Sequence, residues 1–563
     1  MITIATADTV FVNGKVATVD KQFSFHKAIA VKNGWIIDVG QNSQITEYIG
    51  AGTNVIDLKG KVILPAAHDA HVHGVTNAMT TILCDCSPAV VKNVGDLQSQ
   101  LAKEVKKARP GAWIKGHSIH LDSFEECINN PGQRISRKDI DNATPDNPVF
   151  ITFSSMHGAM VNSKALEVCG INRDTPDPAT GVMVRDGNGD PTGLFYEFEA
   201  IDIVRQHVPH STAAELKEGI IAFQKKMNKD GYAGYTESTI GLDPGTEGPL
   251  CLEVYKDLFD AGQLTNRVTI GIITTTKGVA THAAMLNALD NYKPPEYPDP
   301  DWLKASMMKI FCDGVHTNHT AWMFEDYADR PGFHGTCSIP GDTEDEQEAE
   351  LHKMIALAHQ RGFQVGIHAD GERAVKASIE GFIKAMQSYP RKNPRHYIIH
   401  AFLATNDLAK RAAKFGIPFS VQPGMADHIY EASVANLGPR GKRVFGLREF
   451  IDYGVVCAGG SDIMHGDLCH WRQAVQSAIT RRSSITGEVY SPELAISLEE
   501  GIRLFTNNCA YQENCEAIRG SIEIGKVADF QVLEEDIFQI DPEEIGKIQV
   551  DMTMVGGKIV YSK

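Results

Sequence analysis

Apolar residues fall into two kinds of run along this chain. Over residues 1–60 they form short stretches broken by turn residues: Thr9-Val10-Phe11-Val12, Ala28-Ile29-Ala30-Val31 and Trp35-Ile36-Ile37-Asp38-Val39, with Asn13-Gly14 and Asn33-Gly34 predicting hairpin turns. The C-terminal end has the same texture, in Asp529-Phe530-Gln531-Val532-Leu533, Met552-Thr553-Met554-Val555, Gly556-Gly557 and Lys558-Ile559-Val560-Tyr561. These two ends predict one discontinuous β domain, residues 1–60 plus 525–563. Residues 61–524 instead alternate. Short apolar strands (Val62-Ile63-Leu64, 307–311, 363–368, 396–400, 417–421, 455–458) are separated by helical stretches such as 348–360, 372–387 and 406–415. Such alternation predicts βα units around a parallel sheet. The expected class is therefore α/β: a (β/α)8 TIM-type barrel with insertions, beside a small β-sandwich domain formed from both termini. A doubly wound open sheet is the structural rival, but no G-x-G-x-x-G follows a first strand.

Composition narrows the function classes. The 563 residues, 42% hydrophobic and 22% charged, suit one large catalytic domain plus something smaller. A net charge of −17 argues against general nucleic-acid or anionic-membrane binding, because both need a basic surface. Eleven scattered cysteines read as reduced thiols, not a disulfide framework. Cys84-Asp85-Cys86 reads as a pair of small apolar side chains rather than a soft metal site. The start, MITIATADTVFVNGK, has neither a basic region nor a long apolar one, and no stretch reaches about 18 uninterrupted apolar residues. A cytoplasmic protein is expected, with a small-molecule substrate, no nucleic-acid or membrane partner, and a homodimer left open.

The candidate chemistry lies at strand ends. His71 and His73 stand two apart, so a strand points both to one face and both imidazoles can reach one cation. His368 and His400 also end apolar strands, where barrel active sites lie. A lone strand-end histidine is more often a half-buried structural residue; four in one alternating chain are not. Asp462 follows Gly459-Gly460-Ser461 and can either ligate a metal and take a proton from its water, or cap a following helix.

These segments, read together, resemble the amidohydrolase superfamily and within it the YtcJ-like group that includes N-substituted formamide deformylases. The resemblance runs over nearly the whole chain. It is carried by residues 64–73 (LPAAHDAHVH), 157–166 (HGAMVNSKAL), 190–197 (DPTGLFYE), 309–314 (KIFCDG), 368–374 (HADGERA) and 520–529 (GSIEIGKVAD). It implies that His71 and His73 bind one metal, His368 and His400 a second, and that Asp462 ligates and serves as general base. It further implies Lys309 as a bridging ligand in the form of N6-carboxylysine, with Glu197 as the competing anionic bridge. One or two divalent ions, Zn2+ first, are the expected cofactors. The loops after Asp313 and Asp462 depart from the family pattern. His157, His316, His319, Trp322 and His465 are candidates for the substrate pocket, although loop histidines are more often simply exposed. The expected reaction is hydrolysis of a C–N bond, amide or formamide, by a metal-activated water. Ester, lactone or deaminase chemistry on the same centre is the second reading, and a non-catalytic barrel with a binding or regulatory role the third.

Overall fold

The computed structural model of the chain describes residues 6–130, 133–153, 158–177, 181–243, 247–274, 280–292, 295–463 and 470–563, with only the backbone described at residue 198. It divides into two compact units, residues 1–74, 223–463 and 468–563 in one and 75–222 with 464–467 in the other.

The larger unit is built on an eight-stranded parallel sheet. In spatial order it runs Ala67–Val72, Tyr232–Gly241, Arg267–Ile273, Leu303–Phe311, Gln364–Ala369, Tyr397–His400, Phe419–Val421 and Cys457–Gly459, here called the first to eighth barrel strands. Helices such as Glu344–Gln360, Glu372–Ser388 and Asn406–Lys414 lie between strands and return the chain to the sheet. The strands are nearly all buried because a barrel wall is covered on both faces, which is why they read as continuous apolar runs. The eighth strand meets the first without a regular ladder. Asp462 N–H donates to the His71 carbonyl (2.8 Å), and Ser461 N–H donates to Asp69 Oδ1 (3.0 Å).

Two sheets form the β sandwich. One orders Trp35–Gly40, Ala28–Lys32, Thr9–Val12 and Asn54–Asp57; the other orders Lys558–Ser562, Val550–Val555, Phe530–Leu533, Val62–Pro65, Lys15–Ala17 and Phe25–His26. Phe530–Leu533 pairs antiparallel with Val62–Pro65, so the C-terminal end completes a sheet begun near the N-terminus. Phe11, Ile29, Ile36, Ile63, Phe530, Val532 and Met554 share one apolar core between the sheets. Asn33-Gly34 forms a hairpin, with φ of 51° and 81° joining antiparallel neighbours. Asn13-Gly14 does not. Thr9–Val12 pairs with Ala28–Lys32 and Asn54–Asp57, whereas Lys15–Ala17 pairs with Phe25–His26 and Val62–Pro65. There the chain crosses from one sheet to the other, and a Cβ at Gly14 would lie 2.3 Å from Leu58 Cδ1. Local turn chemistry cannot distinguish a hairpin from such a corner. The sandwich is tied to the barrel through Arg267, which donates to both oxygens of Asp529 (2.8 and 3.2 Å) with its guanidinium over Trp302.

The smaller unit has its own six-stranded mixed sheet, ordered Val182–Arg185, Pro191–Tyr196, Gly158–Val161, Val149–Phe153, Ile114–Ile119 and Cys84–Asp85. Two apolar clusters pack it, around Leu97, Phe124 and Ile151 and around Phe150, Phe195 and Ile201. No helix among the described residues is long and apolar enough to cross a membrane.

Candidate metal centre

The seam between the eighth and first barrel strands positions the first three side chains. Asp69 Oδ1 accepts from the backbone N–H of both His71 (3.1 Å) and Ser461 (3.0 Å), so one carboxylate pins the two chain segments together. Gly460 permits the approach: a Cβ there would lie 2.8 Å from His71 N. Asp462 then turns with φ of +53°, which directs its carboxylate towards His71 and His73. No helix begins here among the described residues; the next one, Trp471–Thr480, is capped by His470. The capping role weighed for Asp462 therefore has no described helix to act on.

His71 Nε2 and His73 Nε2 each lie 3.2 Å from the same atom, Asp462 Oδ1. The ligand atoms of these three residues all fall within 4.8 Å of one another. Lys309, on the fourth strand, places Nζ 3.5 Å from His71 Nε2 and over the Phe311 ring. The His400 ring centroid is 5.6 Å from that of His71 and 4.4 Å from that of His368. Six residues from five strand ends therefore converge at the C-terminal face of the barrel.

Hydrogen bonds behind the rings decide which nitrogen faces inward. His400 Nδ1–H donates to Gln422 Oε1 (2.8 Å), whose amide nitrogen is engaged by the Ser420 carbonyl, so Nε2 of His400 keeps its lone pair. His368 Nε2–H donates to the Gly314 carbonyl (3.2 Å), which leaves the lone pair on Nδ1. Burial holds the rings neutral. It pushes His71 down to about 3 and His368 to about 4, in each case helped by the nearby Lys309 charge, and His400 falls well below the usual range through burial and His368. For Asp462 burial acts upwards, but His71 and then His73 outweigh it and keep the carboxyl well below its ordinary value. Burial also drives the Lys309 amine down to about 7, with Asp462 opposing. The neutral imidazole of His71 and the ionised Asp462 carboxylate both offer lone pairs at one point, and a divalent cation of borderline softness would satisfy that set.

The remaining candidates are placed differently. Glu197 belongs to the smaller unit, where it is exposed, has φ of 67° and precedes the helix Phe198–Arg205. His316 is buried and hydrogen-bonded to Asp370 Oδ2 (2.8 Å) and Ser433 Oγ (2.7 Å). His319 pairs with Asp329 (2.8 Å), and buried Trp322 donates from Nε1 to Glu344 (3.1 Å). His157 and His465 lie outside the described residues. Sequence reasoning passed over Asp69, Gln422 and Ser238. Asp69 did carry a signal, standing two residues before His71 as His71 stands before His73. Gln422 and Ser238 carried none, because a polar residue in a strand reads alike whether or not a ligand stands beside it.

Comparison with known proteins bears on what this arrangement does. The amidohydrolase family matches the chain over residues 54–561. The YtcJ protein of Bacillus subtilis, named as an amidohydrolase, is 30% identical over 95% of this chain and 96% of its own length. The N-substituted formamide deformylase of Arthrobacter pascens is 25% identical over 99% of this chain and 98% of its own. Among solved structures, metal-dependent hydrolases of Pyrococcus horikoshii and Pyrococcus furiosus superpose with TM-scores of 0.74 and 0.72 at 20% and 22% identity, each covering 95% of this chain and 99% of the other. At that identity they speak to the fold.

Proposed function

Because the chain belongs to the amidohydrolase family, and so is a hydrolase of carbon–nitrogen bonds, we propose that it cleaves a small amide, by preference an N-substituted formamide, at a centre held by His71, His73, Lys309, His368, His400 and Asp462. The observation that carries this reading is the convergence of His71 Nε2 and His73 Nε2 on one oxygen of Asp462, 3.2 Å from each. The formamide preference rests on the relative from Arthrobacter pascens, which covers nearly the whole chain.

His71, His73 and Asp462 would hold one divalent ion, and His368 with His400 a second, with Zn2+ favoured by the nitrogen-rich donor set. Such an ion supplies Lewis-acid activation of water and of the scissile carbonyl. The chain's own residues do the rest. Asp462 is ionised and half-buried, so it can accept a proton from the attacking water and pass it to the departing nitrogen. Lys309, as the carbamate, would supply anionic oxygens to help hold the metal. Its amine, lowered to about 7, is substantially unprotonated at neutral pH, and R–NH2 with CO2 gives R–NH–COO− and a proton. Lys309 is preferred over Glu197 because its Nζ stands 3.5 Å from a ligand nitrogen. Residues 61–524 form the catalytic domain in this reading, and 1–60 with 525–563 the structural β domain.

The test is to strip the protein with a chelator and assay a panel of N-substituted formamides, other amides, esters and lactones before and after Zn2+ is restored. Metal-dependent turnover greatest on the formamides supports the reading. Turnover confined to esters or lactones, or undiminished in metal-free protein, refutes it.

A further inference from the structure

The second barrel strand, Tyr232–Gly241, carries an irregularity in its pairing with the third. Glu237 pairs with Ile270 of the third strand and Ile240 with Ile272, so three steps along the second strand match two along the third. That is a β-bulge at Ser238 and Thr239. Consecutive side chains on a regular strand point to opposite faces, and a bulge is the device that re-aims one of them. Here both hydroxyls reach the first-strand histidines: Ser238 Oγ lies 3.0 Å from His71 Nδ1, and Thr239 Oγ1 lies 2.9 Å from His73 Nδ1.

The Ser238 contact has a definite polarity. Ser238 Oγ donates to the Val72 carbonyl at 2.9 Å, and a hydroxyl has one proton to give. It must therefore accept from His71, whose proton sits on Nδ1 and whose lone pair is on Nε2, the atom facing Asp462. Ser238 is fully buried, so no solvent competes for the hydroxyl.

We propose that the Ser238–Thr239 bulge is a positioning device for the metal centre, fixing the tautomer and ring orientation of His71 and the ring orientation of His73. Neither residue touches the reacting atoms; each acts through the imidazole in front of it. The role rests on the metal reading given above, and it gives a reason for the departure from regular pairing with the third strand at these two residues. Outer partners of this kind typically change metal affinity by about 10- to 100-fold.

The test is a Zn2+ titration of metal-free full-length protein against a chromophoric chelator, for wild type, Ser238→Ala, Ser238→Thr and Thr239→Val, with melting temperatures of the metal-free forms measured alongside. Ser238→Ala should bind Zn2+ about 10- to 100-fold more weakly and show altered visible bands when loaded with Co2+, while Ser238→Thr, which keeps the hydroxyl, restores affinity. Thr239→Val, close to isosteric, should weaken binding too and carries the test if Ser238→Ala does not fold. Wild-type Zn2+ affinity in both hydroxyl-free variants overturns the proposal, and so does a Ser238→Thr protein that folds but binds as weakly as Ser238→Ala. A wild type that itself fails to bind Zn2+ or Co2+ overturns the metal reading and the positioning role with it, whereas a binding wild type with unchanged variants overturns only the latter.

Discussion

Replacing Asp462 by Asn tests the proton carrier with least disturbance of the backbone. Asp462 has φ of +53°, a region that Asn and Asp occupy more readily than other side chains with a Cβ, so Asn can keep the turn where Ala would add strain. The amide keeps an oxygen able to face His71 and His73, each now 3.2 Å from the carboxylate, but it cannot accept a proton at working pH. Losing a general base costs about 10²–10⁴-fold in turnover, or about 3–5 kcal/mol of barrier. Stability should change much less, because no described helix depends on the residue for a cap. Steady-state kinetics, metal analysis and a thermal melt on the same preparation separate the effects. We expect kcat to fall by that factor with most of the metal and the fold retained. A metal-loaded, folded Asp462→Asn protein with wild-type kcat would refute the assignment of the base.

Three further outcomes follow from other parts of the structure. Lys309→Ala should lower bound metal per chain and turnover together, with added short-chain carboxylates restoring part of both; in the wild-type apoprotein, reactivation with metal at constant dissolved CO2 should quicken as pH rises through about 7, the value at which the amine loses its proton. Glu513 is buried and, although burial acts upwards, His68 (2.9 Å) and Arg519 hold its carboxyl well below the usual value. Its folded value is thus depressed, so the stability it contributes is present above the unfolded value of about 4.3 and is lost as pH falls through the folded one. Glu513→Gln should cost about 3–5 kcal/mol at pH 7 and flatten the acid limb of a urea-stability profile, because buried Arg519 loses its counter-charge. Asp529→Asn, breaking the buried pair with Arg267 that joins sandwich to barrel, should lower the unfolding free energy read from a urea titration by a similar amount, about 3–5 kcal/mol, while leaving metal content unchanged.

Much of the fold was legible because it is written in periodicity. Runs such as 363–368 and 417–421 became the strands Gln364–Ala369 and Phe419–Val421, and the stretch 372–387 became the helix Glu372–Ser388. The smaller unit was legible only as an insertion. Its strands Ile114–Ile119 and Val149–Phe153 pair in parallel beside antiparallel neighbours, a mixture that local pattern does not announce. The turn at Asn13-Gly14 was misread for a related reason: the same dipeptide serves a hairpin or a crossing between sheets, and only the partners of the flanking strands differ.

The sequence by itself determined the alternation of strand and helix, the matching strand texture of the two ends, and the kinds of side chain standing at the barrel's strand ends. These are local properties, set by the two-residue repeat of a strand and by the chemistry of imidazole and carboxylate. Tertiary structure alone decided that Asp462, 391 residues after His71 in the chain, shares one oxygen between His71 and His73. It decided that Ser238 and Gln422 stand behind the rings, that His316 faces Asp370 and Ser433, and that Lys309 is buried deeply enough to lose its proton near neutrality. The reason is physical. A lone pair's direction and an amine's proton affinity depend on what surrounds the group in space, and those neighbours come from strands far apart in the chain.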